Sequence, residues 1–125
     1  MSAGDLQTIR VLRLKNCGRN FSDRTCATIP YRLKQHLEVL QLTGCYRLSD
    51  GGLSELLSPC TESLMSLDLT CNSRLSVDGL RAIRTLANLQ ELVLDHCSHL
   101  SDYDLLQLVD CCGDPSVMVL SLIHI

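Results

Sequence analysis

The chain has 125 residues, of which 46% are hydrophobic and 20% are charged. This composition supports one folded domain over residues 1–125 and excludes a disordered segment. No apolar run approaches the roughly 18 residues that a membrane-spanning helix needs, so we expect no membrane partner. A net charge of −3 and an aromatic content of 3% argue against a nucleic-acid-binding surface.

The N-terminal residues, MSAGDLQTIR, contain no apolar signal-peptide core, so we expect an intracellular protein of the cytoplasm or nucleus. Eight cysteines in 125 residues would suggest disulfides in a secreted chain. Because an intracellular compartment keeps thiols reduced, we expect free cysteines instead.

A leucine pattern recurs along almost the whole chain. It reads L-x-x-L-x-L-x-x-(C/N)-x-x-L-S-x-x-x-L-x-x-(L/I) and is present in the segments Leu37–Leu57, Leu64–Ile83 and Leu89–Leu108. The segment Ile9–Ile29 also fits, with one extra residue before Phe21 and with Cys26 at the late leucine position. Its middle leucines, Leu12, Leu40, Leu67, Leu92 and Leu120, are 28, 27, 25 and 28 residues apart. Such a period indicates stacked units. We place four strand–helix repeats at residues 9–36, 37–63, 64–88 and 89–116, followed by a truncated fifth strand.

Each repeat combines two periodicities. The spacing of two in L-x-L puts both leucines on one face of a short strand. A serine then stands where a helix N-cap is wanted: Ser22, Ser49, Ser76 and Ser101. Three of these serines precede an aspartate that suits the helix dipole: Asp23, Asp50 and Asp102. One unit cannot bury its leucines alone, so we expect the units to stack, with strands in a parallel sheet and helices outside it.

The element C-x-x-L-S-D, present as Cys45–Asp50 and Cys97–Asp102, resembles the cysteine-containing leucine-rich repeats of F-box/leucine-rich-repeat proteins. This resemblance implies an α/β fold of the ribonuclease-inhibitor-like type, a leucine-rich-repeat solenoid forming a horseshoe segment with a parallel inner sheet and outer helices. It also implies substrate recognition for an SCF-type ubiquitin ligase. Asn72 replaces the cysteine in the third repeat. We recognise no F-box, so a ligase adaptor is an expected partner only if an F-box lies outside this chain.

One cysteine or asparagine per repeat follows the strand: Cys17, Cys45, Asn72 and Cys97. We expect a buried structural ladder at the corner where the strand turns, with each side chain donating to a turn carbonyl, Asn strongly and Cys weakly. Strand spacing does not exclude a disulfide chain along this ladder, although Asn72 interrupts it. For the remaining cysteines we expect packing roles.

The segment Asp95–His99 holds four possible metal ligands in five residues, so a zinc site or a catalytic Cys/His pair are the alternatives to a packing role there. A zinc site would need a second ligand cluster, and the chain has no C-x-x-C pair. A Cys/His nucleophile pair would need an oxyanion turn and an orienting partner, for which the sequence gives no sign. We therefore expect no metal, no cofactor and no enzymatic activity.

The strand residues between the leucines are predicted to line the concave face of the stack, where repeat proteins commonly bind their partners. They are Val11, Arg13, Lys15, Val39, Gln41, Thr43, Ser66, Asp68, Thr70, Glu91, Val93 and Asp95. Residues 1–50 carry eight Lys/Arg and four Asp/Glu, and residues 51–125 carry three and ten, which gives net charges of +4 and −7. We expect a protein or peptide partner with the opposite polarity; a merely solvated face is the alternative.

The ends suggest a fragment of a longer repeat protein, because a solenoid needs polar caps at its terminal turns. The residues 120–125, LSLIHI, are also what one reading frame of a transposon end used in sequencing libraries encodes. We expect them to derive from such an adapter. The function predicted is thus a protein-binding module, with substrate recognition for a ubiquitin ligase as its concrete form. The alternative is a structural or assembly scaffold, for example in a cytoskeletal or ciliary complex.

Overall fold

The computed structural model describes residues 9–16, 18, 21–101, 103, 104, 106 and 119–121. These residues form strands and helices in the order β1 (Val11–Lys15), α1 (Asp23–Thr28), α2 (Tyr31–Lys34), β2 (Val39–Thr43), α3 (Asp50–Leu57), β3 (Ser66–Asp68), α4 (Val77–Ile83), β4 (Glu91–Val93) and β5 (Val119–Ser121). A short 3₁₀ helix, Ser58–Cys60, follows α3. The predicted α/β class is confirmed.

The strands lie in one sheet in chain order, β1-β2-β3-β4-β5, and every neighbouring pair is parallel. The register aligns the middle leucines of successive repeats: Leu12, Leu40, Leu67, Leu92 and Leu120. Parallel neighbours need a crossover connection, which the helices provide between the first four strands. The predicted parallel sheet with one strand per repeat is therefore confirmed.

The core lies between the sheet and the helices. Its fully buried leucines in the strands or directly after them are Leu40, Leu42, Leu67, Leu69, Leu92 and Leu94. The helices add Leu53, Leu56 and Leu57 from α3, and Leu80 and Ile83 from α4. Helix α3 contacts both α1 and α4. Since burying one such side chain contributes about 1.5–3 kcal/mol, the aligned leucines dominate the stability of the fold.

The first repeat differs from the expectation of one outer helix. Helix α1 ends at Thr28, and Ile29 has extended backbone angles, φ −73° and ψ 123°. Pro30 follows as the N-cap of α2. A residue before proline is disfavoured in the helical region, so the sequence Ile29-Pro30 divides the connection into two short helices.

The predicted positions of the N-cap serines are confirmed where the structure describes the following helix, since Ser22, Ser49 and Ser76 are the N-cap residues of α1, α3 and α4. The Ser76 side chain makes no capping hydrogen bond. The Ser49 hydroxyl accepts a hydrogen bond from the Gly52 backbone N–H at 3.4 Å. Ser101 and Asp104 form a reciprocal pair, with backbone-to-side-chain hydrogen bonds of 3.1 and 3.2 Å. Such pairs satisfy the backbone donors at the start of a helix.

An aspartate of one repeat also binds the N-cap serine of the next. Asp23 accepts the Ser49 backbone N–H at 2.8 Å and the Ser49 hydroxyl with its other oxygen. Asp50 accepts the Ser76 backbone N–H at 2.9 Å and the Ser76 hydroxyl in the same way. We call these two contacts the Asp–Ser clasps. Sequence reasoning assigned these aspartates to the helix dipole alone and missed the clasps.

The clasps explain two glycines. A Cβ atom on Gly52 would clash with Asp23 Oδ1, and one on Gly79 would clash with both Asp50 Oδ1 and Leu75 Cδ1. In the third repeat, Val77 stands directly after the serine, where the first two repeats have the clasping aspartate. In the fourth repeat, Asp104 stands three residues after the serine, where the second and third repeats have glycine. A glycine therefore occurs three residues after the serine in the two repeats that receive a clasp.

Some predictions lie outside the described residues. These are most of the fourth helix, residues 107–118, the ladder residue Cys17 and residues 122–125 of the suspected adapter. None of the described helices is long and apolar enough to cross a lipid bilayer.

Candidate functional site

The twelve residues predicted to bind a partner share one face of the sheet, which we call the open face. All of them are exposed or partly exposed, whereas the leucines that alternate with them from β2 to β4 are buried. Strand pairing arranges them in rows. One row joins Val11, Val39, Ser66 and Glu91, and the next joins Arg13, Gln41, Asp68 and Val93.

The third row begins with Lys15 opposite Thr43. It continues past the ends of β3 and β4 with Thr70 and Asp95. Backbone hydrogen bonds still link these turns, since Gly44 N–H donates to the Thr70 carbonyl and Cys71 N–H donates to the Asp95 carbonyl, both at 2.9 Å. The open face is therefore an ordered array of side chains about 4.8 Å apart across the strands.

Asp68 is held in place at the centre of the open face. One carboxylate oxygen accepts the Thr70 backbone N–H at 2.9 Å and the Thr70 hydroxyl at 2.6 Å. The other accepts a hydrogen bond from Gln41 Nε2 at 3.3 Å. Near it, the Ser66 hydroxyl donates to Glu91 Oε1 at 2.9 Å. Because its neighbours already fix the Asp68 carboxylate, little side-chain entropy remains to be lost when a partner binds there.

Charge changes sign across the open face. Arg13 and Lys15 are exposed on β1, and Asp68, Glu91 and Asp95 lie on or just after β3 and β4. The structure therefore brings the predicted basic and acidic residues to opposite sides of one face. Such a gradient favours one orientation of a charged partner over the reverse.

A residue with a left-handed backbone follows each of the first four strands, directly after β1 and β2 and as the third residue after β3 and β4. The φ values are 56°, 71°, 62° and 60° at Asn16, Gly44, Cys71 and His96. We call these four residues the turn row. Glycine adopts this region without strain and asparagine tolerates it, but cysteine is strained there. The residues that directly follow Gly44, Cys71 and His96 are buried: Cys45, Asn72 and Cys97.

The described members of the predicted ladder are buried: Cys45, Asn72 and Cys97 are 0%, 2% and 0% exposed. Asn72 Nδ2 donates to the Leu42 carbonyl at 2.6 Å, and the Cys97 thiol donates to the Leu69 carbonyl at 3.1 Å. Both bonds therefore join a turn to the strand of the preceding repeat. The Cys45 thiol lies 4.0 Å from the Thr43 carbonyl. These contacts stabilise the edge of the open face.

Three of the buried thiols, those of Cys26, Cys60 and Cys97, are protonated at neutral pH. Burial raises the pKa of Cys26, Cys60 and Cys97 to about 11. A thiol with such a pKa is a weak nucleophile and a weak metal ligand. Cys71 is exposed, and none of these four cysteines forms a disulfide.

The segment Asp95–His99 does not converge on one point. Cys97 is buried and bonded to Leu69, while His99 is exposed. Within the part of the chain that the structure describes, no group of three or more His, Cys, Asp or Glu side chains could hold a metal ion.

Comparison of the sequence with models of known protein families gave no match. A comparison with curated proteins also gave no significant match.

Proposed function

We propose that the chain is a protein-binding leucine-rich-repeat module, a solenoid segment whose open face is the concave inner surface. The observation that carries this proposal is the alignment of twelve exposed or partly exposed side chains in rows across successive strands. Stacked repeats that share a curvature create extended concave surfaces, and such surfaces serve as binding sites in repeat proteins.

The charge gradient defines the chemistry of the partner. Arg13 and Lys15 stand on β1 and Glu91 stands on β4, three strand spacings or about 14 Å away. The partner is a polypeptide with acidic residues at one end of its contact and basic residues at the other. If it lies across the strands in an extended conformation, about four of its residues span this distance.

A role in substrate recognition for an SCF-type ubiquitin ligase is the concrete form of this proposal. It is supported by the resemblance of Cys45–Asp50 and Cys97–Asp102 to the repeats of F-box/leucine-rich-repeat proteins. A receptor of that type contacts its ligase adaptor through an F-box. An F-box encoded in the same reading frame outside this chain would support the ligase role; a full reading frame without one would favour the assembly scaffold.

The binding proposal is tested by selecting random peptides displayed on phage against the 125-residue chain. We expect the selected peptides to combine an acidic and a basic half, and their affinity to fall as salt rises, because charges steer and orient the contact. The double variant Asp68→Lys and Glu91→Lys removes the acidic side of the open face. It is expected to weaken binding of the same peptides by tenfold or more.

The matched control is Glu55→Lys with Glu62→Lys, which makes the same change in net charge at exposed residues outside the open face. This control should bind the selected peptides as the native chain does. Equal affinity of the native chain and the Asp68/Glu91 variant would contradict the proposal. Loss of binding in both double variants would show that net charge alone drives the contact, and would contradict it too.

A further inference from the structure

A small cavity lies in the core between the second and the third repeat, with a volume of about 10 Å³. Four leucines and two polar residues line it: Leu48, Leu53, Leu69, Leu75, Ser49 and Asn72. Asn72 and the four leucines are at most 3% exposed, so the lining is almost entirely buried. A volume of about 10–15 Å³ is the least that holds one water molecule, and the cavity therefore excludes any larger ligand.

Asn72 brings an unpaired hydrogen-bond acceptor to this cavity. Its Nδ2 atom donates to the Leu42 carbonyl at 2.6 Å and to the Thr70 carbonyl at 3.3 Å. Both partners are acceptors, so the nitrogen of the side-chain amide must face them and the oxygen must point away. Within the part of the chain that the structure describes, this buried Oδ1 atom has no hydrogen-bond partner. Leaving a buried acceptor unpaired is unfavourable, since the atom has lost its hydration and gained no bond in return.

Ser49 provides the second polar group of the lining. Its hydroxyl donates to the Asp23 carboxylate in one of the Asp–Ser clasps and accepts the Gly52 backbone N–H at 3.4 Å. A hydroxyl oxygen has two acceptor positions, so one remains for a further donor. Asn72 Oδ1 and Ser49 Oγ together give the two polar partners that a buried water molecule requires.

The neighbouring repeats show that the unpaired acceptor is a feature of the third repeat. The same ladder position holds Cys45 in the second repeat and Cys97 in the fourth. The Cys97 thiol donates to the Leu69 carbonyl at 3.1 Å, just as Asn72 donates to the carbonyl of Leu42. A cysteine can thus make the bond to the preceding strand, and it carries no amide oxygen. Asparagine adds an acceptor that this bond does not need.

We propose that the cavity binds one structural water molecule, which donates one hydrogen bond to Asn72 Oδ1 and the other to Ser49 Oγ. Because the Ser49 hydroxyl is held by Asp23, the water completes a polar chain from the first repeat through the second to the third. This chain joins the turn at the edge of the open face to the start of α3. The site lies in the core rather than on the open face, so it stands or falls independently of the proposed peptide binding.

The first test is a high-resolution crystal structure of the 125-residue chain. We expect one ordered water in the cavity, about 2.5–3.0 Å from both Asn72 Oδ1 and Ser49 Oγ. In solution, nuclear Overhauser effects from this water should reach the methyl groups of Leu53 and Leu75, with the sign of a molecule that tumbles with the protein. A dry cavity in the crystal, or a protein donor bonded to Asn72 Oδ1, would overturn the proposal.

The matched variant is Asn72→Cys, because the ladder holds cysteine in the neighbouring repeats and the Ser49 hydroxyl stays in place. It should lose both the ordered water and the Overhauser effects at Leu53 and Leu75. An ordered water that persists in Asn72→Cys would not depend on the amide, and Overhauser effects that persist without it would come from exchange of the Ser49 hydroxyl proton. Either outcome would overturn the proposal. If Asn72→Cys fails to fold, the crystal structure of the native chain still decides the matter.

Discussion

At the scale of single residues, the turn row shows how one backbone position shapes the edge of the open face. The same left-handed backbone recurs with four different side chains, at Asn16, Gly44, Cys71 and His96. The repeat alignment marks the position of this row, but it cannot reveal the backbone angle, because just one of the four residues is a glycine. Asn72 and Cys97 are a contrasting case, since the preference of these residue types for burial and turn hydrogen bonds was readable from the sequence.

The strain at Cys71 leads to a stability prediction. A non-glycine residue in the left-handed region costs about 1–2 kcal/mol, and glycine gives back part of this through its greater freedom in the unfolded chain. We expect Cys71→Gly to raise the free energy of unfolding by about 0.5–1 kcal/mol, measured by urea denaturation. The converse control is Gly44→Ala, whose Cβ would meet Asn16 Oδ1 at an ordinary 3.5 Å. Gly44→Ala should lower the free energy of unfolding by about 1 kcal/mol. A more stable Gly44→Ala variant, or a less stable Cys71→Gly variant, would contradict the strain assigned to this row.

At the scale of the elements, the two Asp–Ser clasps hold the start of α3 to α1 and the start of α4 to α3. Sequence reasoning predicted the caps, because serine is a common N-cap. It missed the clasps, because an aspartate next to the cap is already explained by the helix dipole. The sequence does contain a signal for the clasps. An aspartate after the serine of one repeat occurs with a glycine three residues after the serine of the next, as in Asp23 with Gly52 and Asp50 with Gly79. Where Val77 replaces the aspartate, Asp104 replaces the glycine.

The clasp is tested by comparing two aspartates in the first turns of neighbouring helices. Asp50 lies in α3 and binds Ser76, whereas Asp78 lies in α4 and pairs with the exposed Arg81. Asp50→Ala should lower the free energy of unfolding by about 1–2 kcal/mol, because hydrogen bonds to a charged group are lost. Asp78→Ala removes a similar dipole interaction and an exposed ion pair, and should lower the free energy of unfolding by less than about 1 kcal/mol. If both variants lost the same free energy of unfolding, the contribution of Asp50 would be its interaction with the helix dipole and the clasp would add nothing.

We expect the effects of substitutions at Gly52 and Asp23 on stability to be coupled, because a Cβ on Gly52 would clash with the Asp23 carboxylate. Gly52→Ala should destabilise the chain, because its Cβ displaces the Asp23 carboxylate. In an Asp23→Ala background the same change should cost less, since the clash is gone and alanine favours a helix over glycine. A double-mutant cycle in urea is expected to give a coupling energy of about 1 kcal/mol or more. Additive effects would mean that Gly52 is required for another reason.

The clasp also makes stability depend on pH. Burial raises the pKa of Asp23, but hydrogen bonds from Ser49 and the positive charge of Arg74 outweigh it, so the pKa lies below the ordinary 3.8. Because the folded pKa is depressed, this stabilisation is present above the unfolded pKa of about 4 and is lost as the pH falls through the folded value. The free energy of unfolding should therefore fall more steeply between about pH 5 and pH 2 in the native chain than in Asp23→Asn. If the free energy of unfolding fell equally with pH in the native chain and in Asp23→Asn, the clasp would not be the cause of the lowered pKa of Asp23.

At the scale of the whole molecule, the period of 25–28 residues predicted the α/β class, the parallel sheet and the order of its strands. The alternation within each strand also predicted which side chains line the open face. What the sequence could not give was the inter-repeat contacts, such as Asp23 with Ser49, and the fixed geometry of Asp68. The contacts of Asp23 with Ser49 and of Asp68 with Gln41 join residues 26 and 27 positions apart, which no local pattern encodes.

Nuclear Overhauser effects between backbone protons of neighbouring strands test most directly whether the repeats align leucine to leucine. The account predicts cross-strand contacts that pair Leu12 with Leu40, Leu40 with Leu67, and Leu67 with Leu92, all in a parallel sense. A register displaced by one residue would turn every leucine to the opposite face of the sheet. Contacts in such a register, or contacts that are antiparallel, would contradict the fold and the open face together.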